Sequence, residues 1–208
     1  VVFLVLIAGG ITFSMIRGKN QAIARLEKAA SIKVIPNLGS VEYMRGDDGY
    51  FSDDSVNSLS PGDSIRLSDT GKAKLDFGND IAISLKNGVK MKVERIDPIS
   101  PKQIEADFLL ENGSFVASIP SGRGDMTVKT KMGAIEVFSS EMTIFKVEYT
   151  DSQTVRVAVN KGKVEVKGND DVSKKVLSQG KFLVVEDSNG YVTAGKIRDL
   201  NIIGESWD

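Results

Sequence analysis

Apolar and polar residues alternate with a period of two through most of the chain from about residue 34 onward, and short turn-forming clusters interrupt the alternation. In "VRVAVNKGKVEV", residues 155–166, Val155, Val157 and Val159 alternate with Arg156 and Ala158. Asn160-Lys161-Gly162 then interrupts, and Val164 and Val166 resume against Glu165. Two such runs joined by a short Gly-containing turn predict a β-hairpin. Turn signals of the same kind recur at Pro61-Gly62-Asp63, Asp69-Thr70-Gly71, Gly78-Asn79-Asp80, Lys86-Asn87-Gly88, Glu111-Asn112-Gly113 and Ser188-Asn189-Gly190. Short strands at this spacing predict an all-β domain over residues 34–191, compact and either solenoid-like or sandwich-like, and argue against βαβ units. Within it, "DPISPKQIEADFLLENG" is the one stretch that could hold a helical turn, with Phe108 to Leu110 re-entering a strand.

The first sixteen residues break the pattern. "VVFLVLIAGGITFSMI" carries no charge, and Val1, Val2, Phe3, Leu4, Val5, Leu6, Ile7, Ile11, Phe13, Met15 and Ile16 make it a membrane-anchoring helix by expectation. A helix of this length spans roughly 24 Å, short of a hydrocarbon core of about 30 Å, so part of the anchor is expected upstream of Val1. Residues 17–33 continue as a helical linker, with Ala22, Ile23, Leu26, Ala29 and Ala30 on one face, and Pro36 ends any helix. Arg17, Lys19, Arg25 and Lys28 follow the anchor, and by the positive-inside rule they would put the downstream side in the cytoplasm. Residues 192–208 form a C-terminal tail in which Leu200, Ile202, Ile203 and Trp207 could pack on the domain or on a partner.

Composition then removes classes of chemistry. A net charge of −1, with Lys and Arg scattered among acids, gives no basic patch for nucleic acid. With no His and no Cys, Ser-His-Asp and Cys-His nucleophiles, the usual zinc ligand sets and thiol redox chemistry all drop out. Glu42, Asp47, Asp48, Asp53 and Asp54 cluster in "EYMRGDDGYFSDD", but the spacing is not that of an EF-hand loop and reads as a solvated acidic turn. Arg45-Gly46-Asp47 and Arg123-Gly124-Asp125 are both RGD tripeptides, short enough to arise by chance among turn residues. Nothing pairs any two of the 28 acids for glycoside hydrolysis, and the Gly-rich "SIPSGRGDM" lacks the Lys-Ser/Thr of a phosphate loop. No catalytic, cofactor-binding or metal-binding residue is assigned, and the chain reads as non-enzymatic.

Several segments together resemble the FecR domain, named for the regulator of iron-dicitrate uptake. In "LSPGDSIRLSDTGKAKLDFGNDIAISL" the matching positions are Gly62, Asp63, Ile65, Gly71, Ala73, Leu75, Phe77, Asp80, Ile81, Ile83 and Leu85. "LLENGSFVASI" matches through Leu110, Gly113, Phe115 and Val116, and "TVKTKMGAIEV" through Val128, Thr130, Gly133, Ile135 and Val137. "TIFKV" supplies Thr143, Phe145 and Val147, the 155–166 stretch the element around Gly162, and Leu177 with Gly180 the end of the pattern. Met142 and Glu141 depart from it, standing where the family usually has Gly and often Arg. Gly62, Gly71, Gly113 and Gly162 are expected to supply positive φ at turns, with Ala73, Leu75 and Phe77 filling one face.

The resemblance implies a compact solenoid-like β domain on the periplasmic side of a single-pass protein of the bacterial inner membrane, without catalytic residues. It sets the orientation against the basic residues after the anchor. The leading functional expectation is a protein-interaction scaffold or adaptor in a bacterial envelope complex, touching other envelope proteins through edges, loops and Trp207, and able to form homo-oligomers. The alternative is a transmembrane signal relay, an anti-sigma-type regulator coupled to an outer-membrane receptor. Glycan binding would want a face of exposed aromatics, for which one Trp and four Tyr offer little.

Overall fold

The computed structural model describes residues 31–199 apart from 47–48, 53–56, 79, 101, 139, 151–153, 169–173, 189–190 and 195–197. The expected anchor, most of the linker, and Trp207 lie outside the described residues. No described helix is long and apolar enough to cross a membrane. The period-two segments become strands in chain order: β1 (Ile32–Leu38), β2 (Val41–Met44), β3 (Ser58–Leu59), β4 (Ser64–Leu67), β5 (Lys72–Asp76), β6 (Ala82–Ser100), β7 (Gln103–Ile119) and β8 (Gly124–Thr130). They continue as β9 (Gly133–Val137), β10 (Thr143–Thr150), β11 (Thr154–Lys161), β12 (Lys163–Gly168), β13 (Lys174–Ser178), β14 (Lys181–Ser188), β15 (Tyr191–Ala194) and β16 (Arg198–Asp199).

These strands form one hydrogen-bonded network folded into two leaves. In the first leaf the order is β3-β1-β5, then the start of β6, the end of β7, β10, β11 and β14, with β15 and β16 both on β14. In the second it is β2-β4, the rest of β6, the start of β7, β8, β9, β12 and β13. All neighbours are antiparallel except β7 and β8, which run parallel. Inward residues of both leaves, among them Ile83, Phe115 and Val157 from one and Met91, Phe108 and Val128 from the other, belong to a single buried cluster. That shared core is what holds the leaves face to face.

The β6–β7 hairpin joins the leaves, and here the chain departs from expectation. Lys86-Asn87-Gly88 and Glu111-Asn112-Gly113, which read as turns, lie inside long strands at β-bulges where the pair bends from one leaf into the other. The parity of burial changes at the bend. Ile104, Ala106, Phe108 and Leu110 point inward before it, and Phe115, Ala117 and Ile119 after it. One extra residue in the bulge thus keeps apolar side chains inside on both leaves. "DPISPKQIEADFLLENG" holds no helical turn among its described residues; it is the far end of this hairpin, with Pro98 opposite Ile104.

The expected hairpin at 155–166 is also corrected. β11 pairs with β10 and β14 in the first leaf, whereas β12 pairs with β9 and β13 in the second. Gly162 is therefore a crossing between leaves, not a reversal within one. Crossings gather on two opposite rims. On the first rim Gly39-Ser40, Ser68 to Gly71, Gly88 and Gly113 lie side by side, linked by Ser68 N–H to Ser40 O (3.2 Å) and Gly88 N–H to Ser68 O (3.0 Å). On the second lie 120–123, Phe138, 140–142, Gly162 and Gln179-Gly180, with Gly180 N–H donating to Val159 O at 2.8 Å. A chain that alternates leaves in this way is solenoid-like in path and sandwich-like in layering.

Candidate interaction surface

The residues singled out from the FecR-like pattern occupy turns and the interior. Asp63 accepts the Ser60 N–H through its carboxylate at 2.9 Å, and Gly62 N–H reaches Val93 O at 2.8 Å, which docks this turn on β6. Gly62, Gly113 and Gly162 adopt positive φ, as expected, while Gly71 is absent from the positive-φ residues. The constraint at Gly71 is close approach instead, since a Cβ there would lie 2.9 Å from Leu67 Cβ and from Ser68 O. Ala73, Leu75 and Phe77 are buried, and Phe77 meets Phe108 edge to face at 6.1 Å. Phe145 meets Phe115 likewise at 6.0 Å, and the buried Thr143 hydroxyl donates to Glu141 O at 3.3 Å. These residues explain the fold. They form no common site.

The solvent face of the second leaf is where chemistry collects. Strand register lays its outward residues in rows, and one row runs Arg95, Asp107, Thr127, Glu136, Glu165 and Val176. A β-bulge between Val93 and Arg95 exposes Glu94 and Arg95 together. Arg95 then reaches Asp97 (2.9 Å), Glu105 (3.4 Å) and Asp107 (3.0 Å). Its guanidinium is held above its usual value, chiefly by the hydrogen bond to Asp107. Lys129 bonds Glu94 and Lys167 bonds Glu136, each at 2.7 Å, and each carboxylate raises its lysine above the ordinary range. Lys174 reaches Glu165 at 2.6 Å.

A groove of about 280 Å³ opens on this face, lined by Arg95, Glu105, Asp107, Asp125 and Glu136 together with Phe138. Phe138 and Ile99 are each more than half exposed, at 52% and 54%. The arrangement is a salt-bridged surface with Phe138 and Ile99 as exposed apolar side chains at its margin. Sequence reading missed it, although two consecutive polar residues, Glu94-Arg95, in the alternating run "MKVERI" are the mark of the bulge. Among the described residues no group of three or more acids is placed to hold a metal ion. Of the two RGD tripeptides, Arg123-Gly124-Asp125 enters β8 at the parallel pairing, with Arg123 bound to Asp80 at 3.1 Å; Asp47 of the other lies outside the described residues.

No family model and no curated protein matches the chain. Among solved structures, two crystal structures of a "putative anti-sigma factor" from Parabacteroides distasonis share its fold, with TM-scores of 0.52 and 0.50 at 18% identity. Each match covers 66% of this chain and 61% of the other, so the likeness spans less than two thirds of that protein's length. At this identity the likeness is one of fold.

Proposed function

We propose that the chain is the non-enzymatic, FecR-like β domain of a bacterial signal-relay protein of the anti-sigma class, anchored in the inner membrane by residues 1–16 with its β domain in the periplasm. The observation that carries this reading is the fold shared with the Parabacteroides distasonis structures over 66% of the chain. The FecR-like pattern supports it independently, since its motif residues supply turns and core in this fold. The salt-bridged face of the second leaf is the surface that meets an envelope partner, with Phe138 and Ile99 as apolar contacts. A scaffold or adaptor in an envelope complex is the second reading, favoured by the two exposed apolar side chains, Phe138 and Ile99, at the margin of that face.

The test is crosslinking and mass spectrometry of the full-length protein taken from membranes in mild detergent. Recovery with a sigma factor and an outer-membrane receptor supports the relay, and Phe138→Asp then lowers receptor recovery by about tenfold or more. Recovery in a stoichiometric multi-subunit envelope assembly transfers the protein to the scaffold reading. Absence from the membrane fraction overturns both.

A further inference from the structure

The outward residues of β8 and β9 form three rungs on the solvent face of the second leaf. Strand register sets Thr127 opposite Glu136 and Lys129 opposite Ala134, and the same register carried one step further sets Asp125 opposite Phe138. Period two turns these six outward, while Met126, Val128, Ile135 and Val137 between them are buried. The two outer rungs are unlike. One carries an acid and an aromatic ring, Asp125 and Phe138, which both line the groove around Arg95. The other carries a base and a small residue, Lys129 and Ala134. A second groove of about 280 Å³ opens at Ala134, where the neighbouring residues Gly133 and Gly168 are also small. Lys129 and Lys167 flank Ala134 in register on either side. One strand, β9, thus presents an exposed ring at Phe138 and, four residues before it, a gap between two lysines.

We propose, on the reading of this face as a contact surface given above, that its occupant is a second copy of the chain. The two copies meet face to face about a twofold axis lying along the middle rung, Thr127 and Glu136. A half-turn about that line lays β8 over β8 and β9 over β9 of the other copy, antiparallel, and exchanges the outer rungs. Each outer rung stands two residues from the axis, about 6.8 Å, so the exchange is in register. Phe138 of each copy then lies over Ala134 of the other, between Lys129 and Lys167, where an ammonium beside a ring face is favourable. Asp125 of each copy lies over Lys129 of the other, acid on base. Glu136 meets its own counterpart, and each is already held by Lys167 at 2.7 Å. On β12 the half-turn brings Lys163 toward Lys167 of the other copy. Glu136 and Glu165 hold Lys167, and Lys163, 67% exposed, is free to swing aside. The face fits itself because acid and base, and ring and gap, stand at equal distances on either side of one line.

Sedimentation equilibrium of the full chain in mild detergent tests this by exchanging charge across the axis. The unmodified chain sediments as a dimer, and Phe138→Asp, Lys129→Glu and Asp125→Lys each raise its dissociation constant about tenfold or more. An equimolar mixture of the Lys129→Glu and Asp125→Lys chains restores the dimer, because the acid introduced in one faces the base introduced in the other. A fault confined to one chain would not be repaired by mixing. Phe138 is 52% exposed, so Phe138→Ser supplies the loss where a charge variant does not fold. A monomer, a dimer that none of these substitutions weakens, or a mixture no more dimeric than its components overturns the proposal. If the chain is monomeric while Phe138→Asp still lowers receptor recovery, the face belongs to the receptor and the relay reading stands. A charge-rescued dimer recovered with neither sigma factor nor receptor supports the proposal and removes the relay.

Discussion

Glycine at particular residues shows how different constraints hide behind one amino acid. At Gly62 the φ is +94° and a Cβ would meet nothing within 4 Å, so Gly62→Ala carries only backbone strain, about 1–2 kcal/mol. At Gly113 the φ is +90° and a Cβ would lie 2.5 Å from Val89 Cα on the facing strand. Gly113→Ala therefore costs more, about 3 kcal/mol or above, because the two strands must separate where they bend. Chemical denaturation of both variants checks the order, and equal losses would remove the close-approach argument. Both residues stand in turn-like tripeptides, so positive φ was legible in the sequence. The facing strand was not, because Val89 is brought opposite by the bend and not by any local signal.

Elements carry the next distinction. Strand positions and inward faces come directly from alternation: Val155, Val157, Val159, Val164 and Val166 are all buried, as period two requires. The path of the chain beyond a Gly-containing interruption does not. Asn160-Lys161-Gly162 ends one run and starts another, but whether the chain doubles back or crosses to the facing leaf depends on which strands already flank it. Here β14 occupies the flank of β11 that a hairpin partner would take. The aromatic pair between Phe77 at the end of β5 and Phe108 of β7 joins the leaves across the core, and both rings are buried. Phe108→Ala should cost about 3–5 kcal/mol. In a double-mutant cycle with Phe77→Ala the losses should fall short of additivity by about 1 kcal/mol. Additive losses would mean that the edge-to-face contact contributes nothing beyond burial.

At the scale of the whole molecule, charge is arranged as short pairs on the surface of a balanced chain. Lys90, Lys129 and Lys167 are each raised above the ordinary lysine value, first by a hydrogen bond to Glu111, Glu94 and Glu136 respectively. The stability that these pairs add is complete below the ordinary value of about 10.4 and is lost as pH rises through the raised folded values. Tyr50, which lies over Arg66 and Lys90, acts in the same window, because burial raises its phenol and the folded state resists deprotonation. Melting temperature should thus stay level from neutral pH to about 10 and fall above it. A decline already complete by about pH 9 would point to other groups. This network could not be read from composition. A net charge of −1 says only that the signs balance, and the pairs exist because strand register places Glu136 beside Glu165 and Asp107 beside Arg95.

The bent β6–β7 hairpin also has a meaning in time. Its two arms are close in sequence, so their pairing closes the shortest loop that reaches both leaves, and short loops close fastest. Every other neighbour of β6 or β7 must find an arm that already exists. That makes the hairpin the natural nucleus of folding, from which the sheet grows toward β1 on one side and toward β14 on the other. Stopped-flow kinetics check this order: Gly113→Ala at the bend should slow refolding, whereas Leu183→Ala in β14 should chiefly speed unfolding, and the reverse pattern would rule the hairpin out as the nucleus.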